Sequence, residues 1–201
     1  MCAQPLSHPG PATERDLDDL PEDVIGQIVD GELIVHPRPD PPHTEAASAL
    51  TGFLFAPLRQ GIGGPGGWVL LIEPKIRFGS RLLVPDLAGW RRERFVSPPT
   101  RKGPYTVCPD WLCEVLSPST MGFDRGTKLP IYAREGVAHV WLMDPVARTL
   151  EVLRLQQTGW LIAGIYTGED KIRAEPFEAV EIDLSLIWGE LPPEPAEDEP
   201  D

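Results

Sequence analysis

Apolar residues run or alternate in short blocks along most of this chain, and glycine- and proline-rich punctuation separates the blocks, which is a pattern of many strands and few helices. Leu17, Leu20, Val24 and Ile25 are spaced for a short helix with Pro21 in its first turn. QIVDGELIVHP reads as a hairpin, because Asp30-Gly31 is a strong two-residue turn signal between apolar runs. After the proline-rich loop PRPDPPHTEA, Thr44 is the expected cap of a helix from about Glu45 to Arg59, with Ala46, Leu50, Leu54 and Leu58 on its apolar face. WVLLIEPKIRFG and RLLVPDLAGWR supply two or three further strands. DWLCEVL is a buried strand, SPST a turn, Asp124 to Glu135 a helix ended by Gly136, and VAHVWLMD another strand. Strand, helix, strand in that order implies a right-handed crossover that sets the two strands parallel in one sheet. RTLEVLRLQ and GWLIAGIYTG form a hairpin across QTG, and AVEIDLSLIW closes the fold.

With 201 residues and 41% hydrophobic content, the chain builds one well-cored domain. Residues 1–16 and the acidic, proline-rich 190–201 show no apolar periodicity and are expected to be disordered ends around a domain spanning 17–189. No run approaches the roughly 18 apolar residues of a membrane helix, and no signal core opens the chain, so a soluble cytoplasmic protein is expected. Cys2, Cys108 and Cys113 are odd in number and fit no common zinc spacing, which agrees with a reducing compartment. A net charge of −13 argues against a protein that coats nucleic acid with a broad basic face. Much of that acid lies near the two ends, however, and a loop holding Arg91, Arg92, Arg94, Arg101 and Lys102 is the densest basic cluster. Solvation is its default role; holding a phosphate backbone beside a reactive site is the alternative.

Asp86 closes an apolar run, Glu114 lies inside another, and Lys128 falls on the helix that follows. A single acid in such a run is most often a strand-edge residue or half of an ion pair. Two of them with a lysine on neighbouring elements are the raw material of a divalent-metal site for phosphodiester hydrolysis. Ser117, Ser119 and Thr120 have no nucleophile elbow around them and read as turn and capping residues. His43 alone reads as a cap or surface residue, and Tyr132 and Trp141 as core. No phosphate-binding loop or dinucleotide fingerprint is present.

DGEL (residues 30–33), His43 before a helix, VPDLAGW around Asp86, then EVLSPST, FDRGTK and IYAREGVAHVWLMDP together resemble the Uma-two family of restriction-type endonucleases, a branch of the PD-(D/E)xK nuclease superfamily. The resemblance spans about Pro21 to Trp188. It implies an α/β (α+β) fold with a restriction-endonuclease-like core, a mixed β-sheet flanked by helices, plus an additional C-terminal β-hairpin. It also implies an endonuclease that uses Mg2+ (or Mn2+) on nucleic acid, with DNA expected, and cutting both strands favours a homodimer. Asp86 and Glu114, with the carbonyl of Val115, are the implied metal ligands. The superfamily lysine ordinarily lies two residues after the second acid, where this chain has Leu116, so the resemblance assigns that role to Lys128. Relatives commonly carry a glutamate where this chain has Gln27, and an amide brings no charge and cannot act as a base. Gln27 and Glu32 are therefore second-rank catalytic candidates, and His43, Asp124 and Arg125 are candidate substrate contacts. The alternative reading is a catalytically weakened nuclease-fold binding module.

Overall fold

The computed structural model describes residues 2–7, 10–98, 100–157 and 159–189; the expected acidic tail, 190–201, lies outside them. β1 (Gln4–Leu6) and α1 (Glu14–Asp18) precede the hairpin of β2 (Val24–Val29) and β3 (Glu32–Pro37). Asp30 and Gly31 adopt φ of 50° and 88°, the two left-handed residues that a type I′ turn requires, and Val29 pairs with Glu32 across it. Two expectations are corrected here. Residues 1–16 carry a strand and a helix, because β3 offers β1 an unpaired edge that no local pattern reports. The helix expected over Leu17–Ile25 lies earlier, at α1, and Val24 and Ile25 enter β2, where pairing with β3 overrides their helical spacing.

α2 (Pro41–Leu54) runs on through a π-helical turn (Phe55–Gln60) and buries Ala46, Leu50, Leu54 and Leu58. Its cap is Asp40, not Thr44: the Asp40 carboxylate accepts from His43 N–H at 3.1 Å, and Pro41 and Pro42 occupy first-turn positions whose N–H groups a helix does not use. The chain continues through β4 (Trp68–Ile72), β5 (Ile76–Phe78), β6 (Arg81–Leu83), β7 (Leu87–Arg91) and β8 (Trp111–Val115). A helical stretch follows, made of α3 (Met121–Phe123), a π-helical turn (Asp124–Lys128) and α4 (Leu129–Glu135), and Gly136 ends it at φ 81°. β9 (His139–Asp144), β10 (Thr149–Gln156), β11 (Gly159–Thr167), β12 (Lys171–Ile172) and β13 (Ile182–Asp183) complete the strands.

Six strands form a mixed sheet in the order β11-β10-β9-β8-β7-β4, and the parallel β8–β9 pair spans the expected crossover. Five form an antiparallel sheet, β1-β3-β2-β6-β5. The fold is thus mixed α+β, with β10–β11 as the additional hairpin. Strand alternation divides the six-stranded sheet into two faces. Under α2, Trp68, Trp111, Trp141 and Phe177 meet edge to face with centroids 4.9–5.6 Å apart, each pair worth about 0.5–1.5 kcal/mol beyond the area it buries. Gly89 permits this crowding, since a Cβ there would lie 2.9 Å from Leu70 and 3.1 Å from the Trp111 ring. On the other face Ala88, Trp90, Leu112, Val140 and Leu142 pack against Ile131 and Tyr132 of α4. Glu114 alternates onto that second face and is buried in it.

The basic loop leaves the far end of β7 from Asp86, a strand length of roughly 17 Å away. None of its residues lines the cleft over Asp86, Arg94 pairs with Asp110, and Phe95 packs on Trp90. It is not beside the candidate site. Among the described residues no helix is long and apolar enough to cross a membrane.

Candidate active site

Leu87 pairs with Cys113 across β7 and β8, so the next step of the same register brings Asp86 opposite Glu114. On its other side Asp86 accepts, through its backbone carbonyl, the N–H of Glu73 at 2.9 Å, just past β4. Three strand ends therefore meet at this acid. One Asp86 carboxylate oxygen accepts from Val115 N–H at 2.7 Å and the other lies 3.2 Å from His43 Nε2. Glu114 accepts from Lys128 Nζ at 2.9 Å through one oxygen and from the Tyr132 hydroxyl through the other. Lys128 Nζ also lies 3.0 Å from Asp124 and donates to the Val84 carbonyl at 3.4 Å. Asp124 and Lys128 open and close the π-helical turn, which turns both inward, and only 2% and 3% of them is exposed. Single π turns recur at functional positions in helices.

Charge in this cluster does not balance. Three carboxylates, Asp86, Glu114 and Asp124, face one ammonium and one imidazole. Burial alone would lower the Lys128 pKa, but Asp124, Glu114 and Asp86 outweigh it and hold the ammonium charged. Burial likewise opposes charge on His43 and Asp86. Their mutual hydrogen bond and attraction overcome it, raising the histidine and lowering the acid. Glu114 takes the shortfall: burial pushes it up to about 8, with Lys128 only partly offsetting. Asp86–His43 and Asp124–Lys128 thus form two ion pairs, and Glu114 is the acid in excess.

Mg2+ fits this donor set. It takes hard oxygen ligands and characteristically binds through one or two protein carboxylates, filling its other positions with water and phosphate. Among the described residues no group of three or more His, Cys, Asp or Glu side chains is placed to hold a metal ion, so the protein would supply two carboxylates at most. Val115 turns its N–H toward Asp86 while Leu116 N–H turns to Met143 on the opposite side, so the Val115 carbonyl shares the Asp86 edge. A cleft of about 280 Å³ opens over Asp86, Glu114, Asp124 and Lys128, and a smaller one of about 110 Å³ lies beyond His43, Glu73 and Asp86.

The other candidates fall elsewhere. Glu32 is exposed at the turn end of its hairpin, whereas the cleft is lined by Ile25, His36 and Pro37 at the opposite end. Arg125, one residue around the helix from Asp124, faces outward and donates to Glu151 at 3.2 Å. Gln27 is fully buried and lies behind the cleft rather than on its lining. Its carbonyl accepts from Val84 N–H at 3.0 Å, which fixes the amide orientation, so its NH2 must donate to His36 Nε2 at 3.2 Å. His36 is then neutral, with its Nδ1–H donating to the Pro37 carbonyl at 3.1 Å.

Burial, then the Lys128 charge, hold the His36 pKa below 6.5. The unfolded chain binds that proton first as pH falls, so His36 lowers stability from about pH 6.5 downward and contributes no pH dependence above it. In Gln27→Glu a carboxylate replaces the donor NH2, and both ring contacts, to residue 27 and to the Pro37 carbonyl, persist together only with an imidazolium. The His36 midpoint, followed by NMR of the ring protons, is expected below 6.5 in the wild-type protein and higher in Gln27→Glu. A wild-type midpoint above 6.5 would contradict the assigned tautomer.

Four residues, Tyr132 behind the site and three on the cleft lining, had no clear sequence signal. Tyr132 read as core, and it is buried, yet its hydroxyl holds Glu114. His36, Arg38 and Glu73 sit at strand ends beside prolines, where spacing says nothing of direction.

Residues 15–186 match the model of the family Uma2, described as "Putative restriction endonuclease". The chain belongs to the Uma2 family. No curated protein matches it. Among solved structures, "a putative nuclease belonging to DUF820 from Anabaena variabilis ATCC 29413" aligns with a TM-score of 0.68 at 20% identity, over 89% of this chain and 98% of that one, which establishes a shared fold. Family and fold together support a nuclease function for this Uma2 chain. Lys128 lies on the helical stretch after β8, while Leu116, two residues after Glu114, is 1% exposed in the core under α4.

Proposed function

We propose that this Uma2 chain is a Mg2+-dependent endonuclease that hydrolyses phosphodiester bonds in DNA and works as a homodimer. The observation that carries the reading is the Asp86–Glu114 pair, two acids side by side at adjacent strand ends, one of which, Glu114, is held up to about 8 by burial and is the acid that a bound cation would return to its charged form. Asp86, Glu114 and the Val115 carbonyl would hold the ion. Bound there, it supplies Lewis acidity toward the phosphate and lowers the pKa of a bound water. Tyr132 and Asp124 keep Glu114 and Lys128 in position. Lys128 meets the negative charge that develops on the phosphate by giving up its long contact to the Val84 carbonyl, the weakest of its three.

Chelator-stripped protein is expected to leave supercoiled plasmid intact and to nick it once Mg2+ or Mn2+ is added. Nicking that persists in excess chelator, or none with any divalent ion, would count against the reading.

A further inference from the structure

We infer that Arg38 grips a backbone phosphate of the nucleic acid at the mouth of the cleft, and that Glu73 holds its guanidinium ready until the phosphate displaces it. This rests on the nuclease reading above and names the contact by which that site takes its substrate.

The cations inside the cleft already have buried partners. Lys128 is bonded to Glu114 and Val84 and lies 3.0 Å from Asp124, so it is held at the reacting end of the cleft, His43 is bonded to Asp86 through Nε2, and His36 is neutral. Arg125 faces Glu151, and the basic loop lies at the other end of β7. Among the described lining residues that leaves Arg38, whose side chain is 53% exposed. It is anchored along one edge only: its Nε donates to the Glu22 carbonyl at 3.0 Å and its backbone N–H to Asp23 at 3.2 Å. The free edge of the guanidinium points to Glu73, with Nη1 and Oε2 3.5 Å apart. A contact of that length on a half-exposed pair is weak, so a ligand displaces it at little cost. A guanidinium fork matches phosphate oxygens in a way that a lysine does not.

Glu73 carries the second, independent observation. It is a non-glycine residue at φ +45°, a left-handed conformation that side chains rarely adopt. Its N–H is pinned to the Asp86 carbonyl, so the strained residue is locked to the proposed metal ligand and presents its carboxylate on the rim shared by the two clefts. Strain of this kind persists where the surroundings impose it, and it clusters at ligand-binding positions. Here it holds an acid against Arg38 without burying either, which keeps the arginine aimed at the cleft yet easily released.

The test is binding of a short fluorescein-labelled DNA duplex in Ca2+ buffer, followed by anisotropy over a range of salt. Arg38→Ala should weaken binding about tenfold or more and make the logarithmic salt slope shallower by about one. Arg38→Lys should recover only part of the loss. Glu73→Gln should tighten binding by up to about fivefold, since the competing carboxylate is gone. Unchanged affinity and slope in Arg38→Ala, or weaker binding in Glu73→Gln, would overturn the inference. Calorimetric titration with thymidine 3′,5′-bisphosphate separates it from the nuclease reading. If no divalent ion supports cleavage but the wild-type protein binds the bisphosphate and Arg38→Ala does not, the phosphate site stands and the nuclease reading falls. If the wild-type protein binds neither duplex nor bisphosphate, the phosphate site falls.

Discussion

Asp86→Asn is expected to lower metal-dependent cleavage about 100-fold or more while leaving the thermal midpoint near that of the wild-type protein. The amide oxygen can still accept the Val115 N–H, so the β7–β8 register that sets Asp86 opposite Glu114 is kept. What is lost is an anionic oxygen at the junction of three strand ends, the donor with the most direct access to the cleft, since 18% of the Asp86 side chain is exposed against 1% of Glu114. Asp86→Ala should lose activity equally and add a stability cost of about 1–3 kcal/mol, because Val115 N–H and His43 then lack their acceptor. Plasmid nicking reads the first effect and thermal unfolding the second. Calorimetry with Mn2+ links them: heat of binding in the wild-type protein should vanish in both variants. Nicking by Asp86→Asn at the wild-type rate would remove Asp86 from the site.

Lys128→Met carries the largest expected effect on stability, a loss of about 3–5 kcal/mol in denaturant unfolding, together with loss of cleavage. The ammonium is the one cation between Glu114 and Asp124, which are 1% and 2% exposed. Without it two carboxylates remain in the core on the α4 face. They can relieve the strain only by binding protons, so the folded state of the variant has carboxyl pKa values above those of the unfolded chain. The loss is then greatest at neutral and alkaline pH, shrinks as pH falls and the folded-state carboxyls take up protons, and closes only below about pH 4, where the unfolded chain is protonated too. Adding Asp124→Asn to Lys128→Met should restore much of the stability and none of the activity, a non-additivity expected for residues in one network. A cost under about 1 kcal/mol for Lys128→Met at pH 8 would show that the buried cluster is not held as described.

How far the site was legible follows from which signals are local. Asp86 and Glu114 stand out because an acid inside an apolar run breaks the strand pattern, and that contrast survives without any knowledge of partners. Asp124 and Lys128 are four residues apart, a spacing that places both on one helical face and turns Arg125 about 100° away. Arg125 could therefore have been set aside from periodicity alone. Glu32 could not: the hairpin was clear from Asp30-Gly31, but which of its ends meets β7 depends on packing against β6 and β5. Gln27 and His36 illustrate the same limit, since they meet as diagonal neighbours across β2 and β3 only because that register is in place, and the partner of the Gln27 carbonyl, Val84, comes from a different hairpin.

By itself the sequence determined most kinds of element from the β2–β3 hairpin onward, the crossover between β8 and β9, and the presence of two acids inside apolar runs with a lysine on the helix that follows, because turn chemistry and periodicity act over a few neighbouring residues. Only the tertiary structure decided that Asp86 faces Glu114, that Lys128 reaches them from a π-helical turn in place of Leu116, and that Arg38 and Glu73 close the rim. Those placements depend on strand order and register between segments dozens of residues apart, which burial and pairing of the whole sheet select and no local pattern encodes.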